Sequence, residues 1–373
     1  MARRKAKMGN AQTLPLKYGE QGEGGAVLGL STVSSSTPPL LLSASKGGVA
    51  TYNYLSGDRT MFSPSAAPLT SAAHCPNLSL FAVGLGSGEV QLLSVVTLQA
   101  LRVVPAPAAA PCSVTALAFS PPSALFVGYS TGEVRCVCAE TGAVQGTLPP
   151  PAPPPAPHAA QDPPLSVNAI ALCIAPPPPS EVARAGPPSP PVLLLLAVGH
   201  ANGTVVLHEP PAGGTSPSAP SAPLSFPPPS PPLLTSPLSG LLYLRSLNCL
   251  AAYSSGCNTL VLLDVAKGRV VALDFSAELQ SVNRGFAQLS TAVWDDARGC
   301  MLVGGRDGAV YTRSITRIAG TGDVAVKLLR VAPPTAGSAA PAPITTLLYH
   351  SKADSALVGD GSGLVRRLKK VAA

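Results

Sequence analysis

Residues 113–142 read SVTALAFSPPSALFVGYSTGEVRCVCAETG, and this stretch decides the fold. Short apolar runs alternate with turn residues, because Pro, Ser and Gly interrupt the runs every five to seven positions. The pattern predicts four short strands in one antiparallel meander: Val114–Phe119, Leu125–Val127, Val134–Cys138 and Ala143–Leu148. Turns are predicted at Ser120–Ser123, at Gly132 and at Glu140–Gly142.

The central part of this meander recurs along the whole chain. Each copy has two or three apolar residues, a small residue, three loop residues and then Gly, so that the small residue and the Gly lie four positions apart. The seven copies are Leu41-Leu-Ser43…Gly47, Ala82-Val-Gly84…Gly88, Phe126-Val-Gly128…Gly132, Ala197-Val-Gly199…Gly203, Leu250-Ala-Ala252…Gly256, Leu302-Val-Gly304…Gly308 and Leu357-Val-Gly359…Gly363. A tight hairpin needs a residue at positive φ, which Gly adopts without steric cost, and this explains the recurring Gly.

A further strand is predicted ahead of each copy, at residues 26–30, 69–74, 114–119, 167–172, 241–244, 289–294 and 344–349. A lone meander cannot bury both of its faces, whereas meanders packed face to face around an axis can. The sequence therefore predicts an all-β fold, a seven-bladed β-propeller. The domain is expected to span residues 12–373, after a basic and flexible N-terminus at residues 1–11.

The two ends of the chain are predicted to close the ring together. Leu364–Val371 supplies only a third strand for the last blade, and Leu14–Tyr18 is free to supply the fourth. Because unpaired strand edges promote aggregation, removal of residues 1–20 is expected to destabilise the ring.

Three proline-rich stretches interrupt the repeats, at residues 149–164, 176–191 and 210–232. Proline lacks the amide proton that a central strand donates, so all three are predicted to be loops. They are either inert insertions or PxxP ligands for SH3-like or WW-like domains.

The sequence resembles the WD-repeat family over roughly residues 25–371. Thr115–Pro121 is similar to the family's first strand and turn, and Cys257–Asp264 to its third strand, with Leu263-Asp264 in place of Trp-Asp. Asp307 is similar to the family's loop aspartate. No repeat ends its third strand in Trp-Asp, since Trp294-Asp295 falls in a first strand. The fold prediction therefore rests on the spacing and the apolar pattern.

The resemblance implies a docking surface on one face of the disc. In WD-repeat proteins this surface consists of the loops between second and third strands, together with the loops between blades. The corresponding residues here are Lys46, Tyr129, His200, Tyr253, Arg306, Asp307 and Asp360. Asp307 is expected to be mainly structural, and each of the others is either a partner contact or a solvated turn residue.

The chain has 373 residues, of which 46% are apolar and 12% charged, and a net charge of +7. Part of this charge lies at the ends, in Arg3, Arg4, Lys5, Lys7, Arg366, Arg367, Lys369 and Lys370. These are either solvated termini or a basic patch for RNA or an acidic partner. The eight cysteines lie mostly in apolar strand patterns without a C-x-x-C pair, which predicts reduced thiols in the cytoplasm or nucleus. The longest apolar run, residues 191–198, is too short to span a membrane.

Catalytic motifs are missing from the sequence. There is no G-x-x-x-x-G-K-[ST], H-E-x-x-H or G-x-S-x-G motif. The five histidines lack metal-ligand spacing, and the Cys136/Cys138 pair and the adjacent Asp295 and Asp296 fit a strand and a turn. The sequence predicts a protein that binds no cofactor and is not an enzyme. It favours a scaffold for other proteins in a complex. The alternative is an RNA- or ribonucleoprotein-associated propeller that uses the basic ends.

Overall fold

The computed structural model describes residues 25–33, 36–75, 77–108, 111–150, 166–175, 193–209, 224–226, 234, 237–255, 257–265, 270–275, 288–318, 324–334, 341–369 and 371. Their strands form seven antiparallel sheets in chain order, each a meander of neighbouring strands. The apolar clusters lie between consecutive sheets, and one of them joins the last sheet to the first. The fold is a seven-bladed β-propeller, as the sequence predicts.

The strands of blades 1 to 4 are β1 Val27–Val33, β2 Leu40–Ser45, β3 Gly48–Asn53, β4 Arg59–Pro64, β5 Leu69–Cys75, β6 Leu80–Leu85, β7 Val90–Ser94, β8 Ala100–Val104, β9 Val114–Ser120, β10 Ala124–Tyr129, β11 Val134–Cys138, β12 Val144–Leu148, β13 Val167–Ala175, β14 Leu193–His200, β15 Val205–His208 and β16 Leu224–Phe226. Those of blades 5 to 7 are β17 Gly240–Leu244, β18 Cys249–Tyr253, β19 Thr259–Asp264, β20 Val270–Asp274, β21 Leu289–Asp295, β22 Cys300–Gly305, β23 Val310–Arg317, β24 Val324–Ala332, β25 Ile344–His350, β26 Ser355–Asp360 and β27 Val365–Lys369. All seven predicted first strands are confirmed.

Two predictions about the connections have different outcomes. Strand β16 pairs with β15 and lies inside residues 210–232, which the sequence assigned to a loop throughout. Three residues between prolines are too few to give a strand pattern. Most of the other proline-rich residues, and the predicted closing strand Leu14–Tyr18, lie outside the described residues. In the described part of the chain the seventh blade has three strands.

The recurring Gly of the hairpin between second and third strands has the predicted positive φ in five blades. Gly88, Gly132, Gly203, Gly308 and Gly363 have φ between 75° and 89°. Each donates its N–H to the carbonyl three residues earlier, as Gly132 does to Tyr129 at 3.0 Å. This is a type I turn closed by a residue in the left-handed region.

Blade 1 differs from those five blades. Its hairpin contains only Lys46 and Gly47, and Ser45 pairs directly with Gly48. Gly47 therefore does not have the positive φ predicted for it.

Where the small residue of a repeat is Gly, it has a separate role, which is to let neighbouring blades approach each other. A Cβ on Gly128 would lie 2.5 Å from Val167 Cγ1, the first residue of the next blade. The same collision would occur between Gly84 and Val114 and between Gly304 and Ile344. The first residues of these strands are fully buried. Each of these glycines therefore receives the side chain that begins the following blade.

A second repeated contact holds the start of the first strand. The strand pairing shifts at the start of β1, β5, β9, β13, β21 and β25, which marks a β-bulge in each. In four of these blades a hydroxyl in the bulge donates to the carbonyl oxygen of the same small glycine. The pairs are Thr70 with Gly84 (3.1 Å), Thr115 with Gly128 (3.1 Å), Ser290 with Gly304 (2.8 Å) and Thr345 with Gly359 (3.3 Å).

The ring is closed between blades 7 and 1 by the same glycine contact. A Cβ on Gly359 would lie 2.8 Å from Val27 Cβ. Around this contact, Val27, Leu41, Tyr52, Leu357 and Val365 form one buried cluster that spans both blades. On the outer side of the seam, the Arg367 guanidinium lies 4.7 Å from the centre of the Tyr54 ring.

Two glycines of β6 and its turn provide a matched test of this packing. Gly84→Ala should lower the free energy of unfolding by about 1–3 kcal/mol, because its methyl group would collide with Val114 in the next blade. Gly86→Ala should change it by less than about 0.5 kcal/mol, since its methyl would contact nothing closer than 3.7 Å. Urea unfolding measures both. Equal losses in the two variants would contradict a role for Gly84 in blade packing.

Candidate functional site

The disc has two faces, defined by the ends of the strands. The front face carries the turns between second and third strands, at residues 46–47, 86–88, 130–132, 201–203, 306–308 and 361–363. The back face carries the turns between first and second strands, at residues 36–39, 77–79, 121–123, 245–248, 296–299 and 351–354. Because the strands are antiparallel, the two sets of turns lie at opposite ends of every blade.

Two of the residues predicted for docking are exposed on the front face. Lys46 occupies the short hairpin of blade 1, and its carbonyl accepts a hydrogen bond from Leu69 N–H at 3.1 Å. Arg306 occupies the hairpin of blade 6, where its guanidinium donates to Gln288 Oε1 at 3.0 Å. Both cations are therefore accessible, and both extend from hairpins whose backbone is hydrogen-bonded.

The other four predicted docking residues, Tyr129, His200, Tyr253 and Asp360, are buried, with between 0% and 8% of their surface exposed. Each directly follows the small residue and is still the last residue of its second strand. Strands β10, β14, β18 and β26 thus run one position further than the repeat pattern indicated. The prediction of exposed contacts at these four positions is corrected.

The Tyr129 and Tyr253 side chains pack between blades, whereas Asp360 forms a turn. The Tyr253 hydroxyl accepts a hydrogen bond from Ala292 N–H of the next blade at 3.2 Å. The Tyr129 ring lies 5.6 Å from the Arg135 guanidinium, and burial raises the pKa of its hydroxyl to about 12. The Asp360 carboxylate accepts hydrogen bonds from Ser362 N–H at 2.9 Å and Leu364 N–H at 3.1 Å, and so forms the turn.

Asp307 also has a structural role, as predicted. Its carboxylate accepts hydrogen bonds from Ala309 N–H at 3.1 Å and from the Tyr311 hydroxyl at 2.5 Å.

The adjacent Asp295 and Asp296 are both engaged in hydrogen bonds. Asp295 is buried and accepts from the Ser351 hydroxyl at 3.0 Å. Asp296 accepts from Ser246 N–H at 2.9 Å and from the Trp294 indole N–H at 2.7 Å. These bonds fix the two carboxylates in inter-blade contacts on the back face.

The cysteines are free thiols, and six of the eight are buried. Burial raises the pKa of Cys136 to about 11 and that of Cys173 to about 12. Hydrogen bonds from Thr141 lower the pKa of the half-buried Cys138. In the part of the chain that the structure describes, no group of three or more His, Cys, Asp or Glu side chains could hold a metal ion.

Two half-buried histidines lie at the two seams of blade 1. His74 Nδ1 is 2.6 Å from the Ser31 hydroxyl across the seam between blades 1 and 2. His350 packs edge-on against Tyr54 across the seam between blades 7 and 1, with ring centres 5.6 Å apart. Burial lowers the pKa of both imidazoles, and the charge of Arg367 lowers the pKa of His350 further.

Comparison with known proteins identifies the fold. No protein family model and no curated protein matches the sequence. A chain in the crystal structure of the mitotic checkpoint complex has a TM-score of 0.65 and 14% identity, over 100% of this chain and 96% of that one. The crystal structure of the RRP9 WD40 repeats has a TM-score of 0.66 and 14% identity, over 96% of both chains. The computationally designed Ika8 protein has a TM-score of 0.55 and 14% identity, over 94% of this chain and 98% of the other. The chain therefore has the WD40-repeat propeller fold, as the resemblance implied.

The helices of the described residues include none that is long and apolar enough to cross a membrane.

His74 and His350, the histidines at the two seams of blade 1, predict acid sensitivity. Their ordinary pKa is 6.5 and both values are lower in the folded state, so the unfolded chain binds protons more readily. The contribution of these two neutral histidines to stability should be fully present above pH 6.5. It should be lost as the pH falls from 6.5 through their lower pKa values in the folded state. Urea unfolding at about pH 7.5 and about pH 5.5 measures the loss. The double variant His74→Gln/His350→Gln should lose less stability between these pH values; a loss as large as that of the parent would contradict the assignment.

Proposed function

We propose that this protein is a non-enzymatic interaction scaffold, acting as a subunit or adaptor of an intracellular multiprotein complex in the cytoplasm or nucleus. The observation that carries the proposal is that seven blades account for nearly all of the described chain, which leaves a rigid disc whose turns face solvent. Turns on a rigid scaffold are favourable positions for binding, because the backbone does not have to order when a partner docks.

The exposed front-face cations support docking of another protein. Lys46 and Arg306 lie on hairpins of blades 1 and 6, on either side of blade 7. Arginine is frequent among residues that contribute strongly to binding.

The chemistry of the described residues supports a non-enzymatic role. The polar side chains with perturbed pKa values, such as Tyr129, Tyr253 and His74, are packing groups at blade seams. A groove of about 570 Å³ lies on the rim between blades 1 and 2. Its ten lining residues include Met61, Leu93 and Leu98 and no His, Cys, Asp, Glu, Lys or Arg. General acid–base catalysis requires such groups, and a hydroxyl nucleophile such as Ser63 or Thr97 would need one of them as its base.

The alternative RNA-binding role draws no support from the basic C-terminus. Arg366 is buried and donates a hydrogen bond to the carbonyl of Gly308, while Arg367 packs on Tyr54. Arg366 therefore belongs to the seam between blades 6 and 7, and Arg367 to the closing seam between blades 7 and 1, rather than to a solvated tail. Lys369 is exposed, and Arg3, Arg4, Lys5, Lys7 and Lys370 lie outside the described residues.

Charge reversal on the front face tests the proposal. Affinity capture of the tagged protein from native lysate should recover stable partners, and Lys46→Glu/Arg306→Glu should reduce their yield at least about fivefold. The control is Arg102→Glu/Lys327→Glu, which makes the same charge change on the rim, at exposed residues of β8 and β24. No reproducible partner with the parent protein, or an equal loss in the control, would contradict the proposed function.

A further inference from the structure

The back face of blades 5, 6 and 7 carries a repeated structural unit that the repeat pattern does not reveal. In each blade an aromatic residue close to the end of the first strand donates a hydrogen bond to a polar side chain in the following turn. The pairs are Tyr243 with Asn248 Oδ1 (2.8 Å), Trp294 with Asp296 Oδ1 (2.7 Å) and Tyr349 with Asp354 Oδ1 (2.9 Å). Three consecutive blades thus build the same aromatic–polar turn.

Each of these turns also presents one exposed basic side chain, namely Arg245, Arg298 and Lys352. Arg298 reaches the next blade, where it pairs with the Asp354 carboxylate at 2.9 Å and donates to Ser351 O at 3.1 Å. The side chains of Arg245 and Lys352 form no hydrogen bond or ion pair with any other described residue. We call this set of three residues the back-face cations.

The backbone beneath these cations is fixed. Asn248 and Asp354 both have left-handed backbone conformations, with φ of 49° and 42°. The turn of blade 5 is tied to blade 6 by Ser246 N–H donating to Asp296, and by Arg317 donating to Leu247 O at 2.7 Å and to Asp264 at 2.8 Å. The cations are therefore held by turns that are already ordered, which lowers the entropic cost of binding.

The first three blades lack this charge. Their back-face turns between first and second strands have no Asp, Glu, Lys or Arg in the described residues 36–39, 77–79 and 121–123. The basic residues of the described turns between first and second strands are thus all in blades 5 to 7, where the carboxylates of Asp296 and Asp354 accompany them.

We infer that the back-face cations bind an acidic peptide segment of a partner protein. The inference deepens the proposed scaffold function and rests on it, but it uses the face opposite Lys46 and Arg306. Opposite charge across an interface gives specificity and a faster encounter. A segment with spaced carboxylates could pair with Arg245, Arg298 and Lys352 in turn.

A nucleic acid fits this surface less well than an acidic peptide does. The carboxylates of Asp296 and Asp354 lie on the same turns as the cations and repel any anionic ligand, but a peptide can place neutral residues opposite them, whereas a nucleic acid carries a phosphate at every nucleotide. The polar atoms of Tyr243, Trp294 and Tyr349 are already bonded, and these rings are partly buried, so they do not form a stacking platform for bases.

Fluorescence anisotropy with two peptides tests the inference. The probe is a fluorescein-labelled peptide of about 15 residues with Glu at every third position and Ala, Ser and Leu between, and the comparison peptide has Gln in place of Glu. At about 50 mM salt, the parent protein should bind the Glu peptide at least about tenfold more tightly than the Gln peptide. Added salt should weaken the binding of the Glu peptide. Arg245→Gln/Lys352→Gln should weaken it about fivefold, without loss of thermal stability, because neither side chain holds the fold together.

The matched control is Lys46→Gln/Arg306→Gln, which removes the same charge from the front face and should change the affinity less than about twofold. The inference is overturned if the parent protein binds the two peptides equally, or if the control variant weakens binding as much as the back-face variant. It is also overturned if a uridine oligonucleotide binds more tightly than the Glu peptide through Arg245 and Lys352. If the peptide test fails but the captured partners still depend on Lys46 and Arg306, the proposed function remains intact. Peptide binding without any captured partner would contradict the proposed function instead.

Discussion

The close approach of neighbouring blades at a small residue is the constraint on which the rest of the structure depends. Gly128 has no side chain, and the space is taken by Val167 at the start of the next blade. Gly359 and Val27 repeat this contact between the last blade and the first, so that one packing rule both builds the ring and closes it. Interiors packed this closely do not tolerate even one added methyl group without rearrangement. The apolar second strands, the bulge at the start of most first strands and the hydroxyl bonds to the glycine carbonyls all serve this contact.

Most of the fold could be predicted from the sequence because it repeats with a constant internal spacing. The limits of the prediction have particular causes. The spacing locates the small residue, but it does not reveal whether the next residue belongs to the strand or to the turn, and Tyr129 and Asp360 proved to be buried strand ends. The strand Leu224–Phe226 is too short and too rich in flanking proline to give a pattern. The turns around Tyr243, Trp294 and Tyr349 have the same hydrogen bond but no common sequence spacing. The bonded polar residue follows the aromatic residue by five, two and five positions.

The same constraint separates structural from accessible polar groups. A side chain at a seam, such as His74, Tyr253 or Arg366, is bound to the neighbouring blade and contributes to the rigidity of the disc. A side chain on a turn is carried by that rigid frame and remains accessible, as Lys46 and Arg306 are on the front and Arg245 and Lys352 on the back. Two separate charged surfaces on one rigid body suit a protein that brings partners together.

Hydrogen exchange on a Gly359→Ala variant tests most directly whether blade packing at the small residue closes the ring. The added methyl would lie within 3 Å of Val27 in blade 1 and of Thr346 in blade 7. The contact predicts faster amide exchange in β1 and in β25–β26 together, because both sides of the seam open as a unit. Gly361→Ala, whose methyl would approach nothing closer than 3.6 Å, should leave exchange in both blades unchanged. Faster exchange confined to β25–β26, with β1 protected as in the parent protein, would contradict closure by this contact.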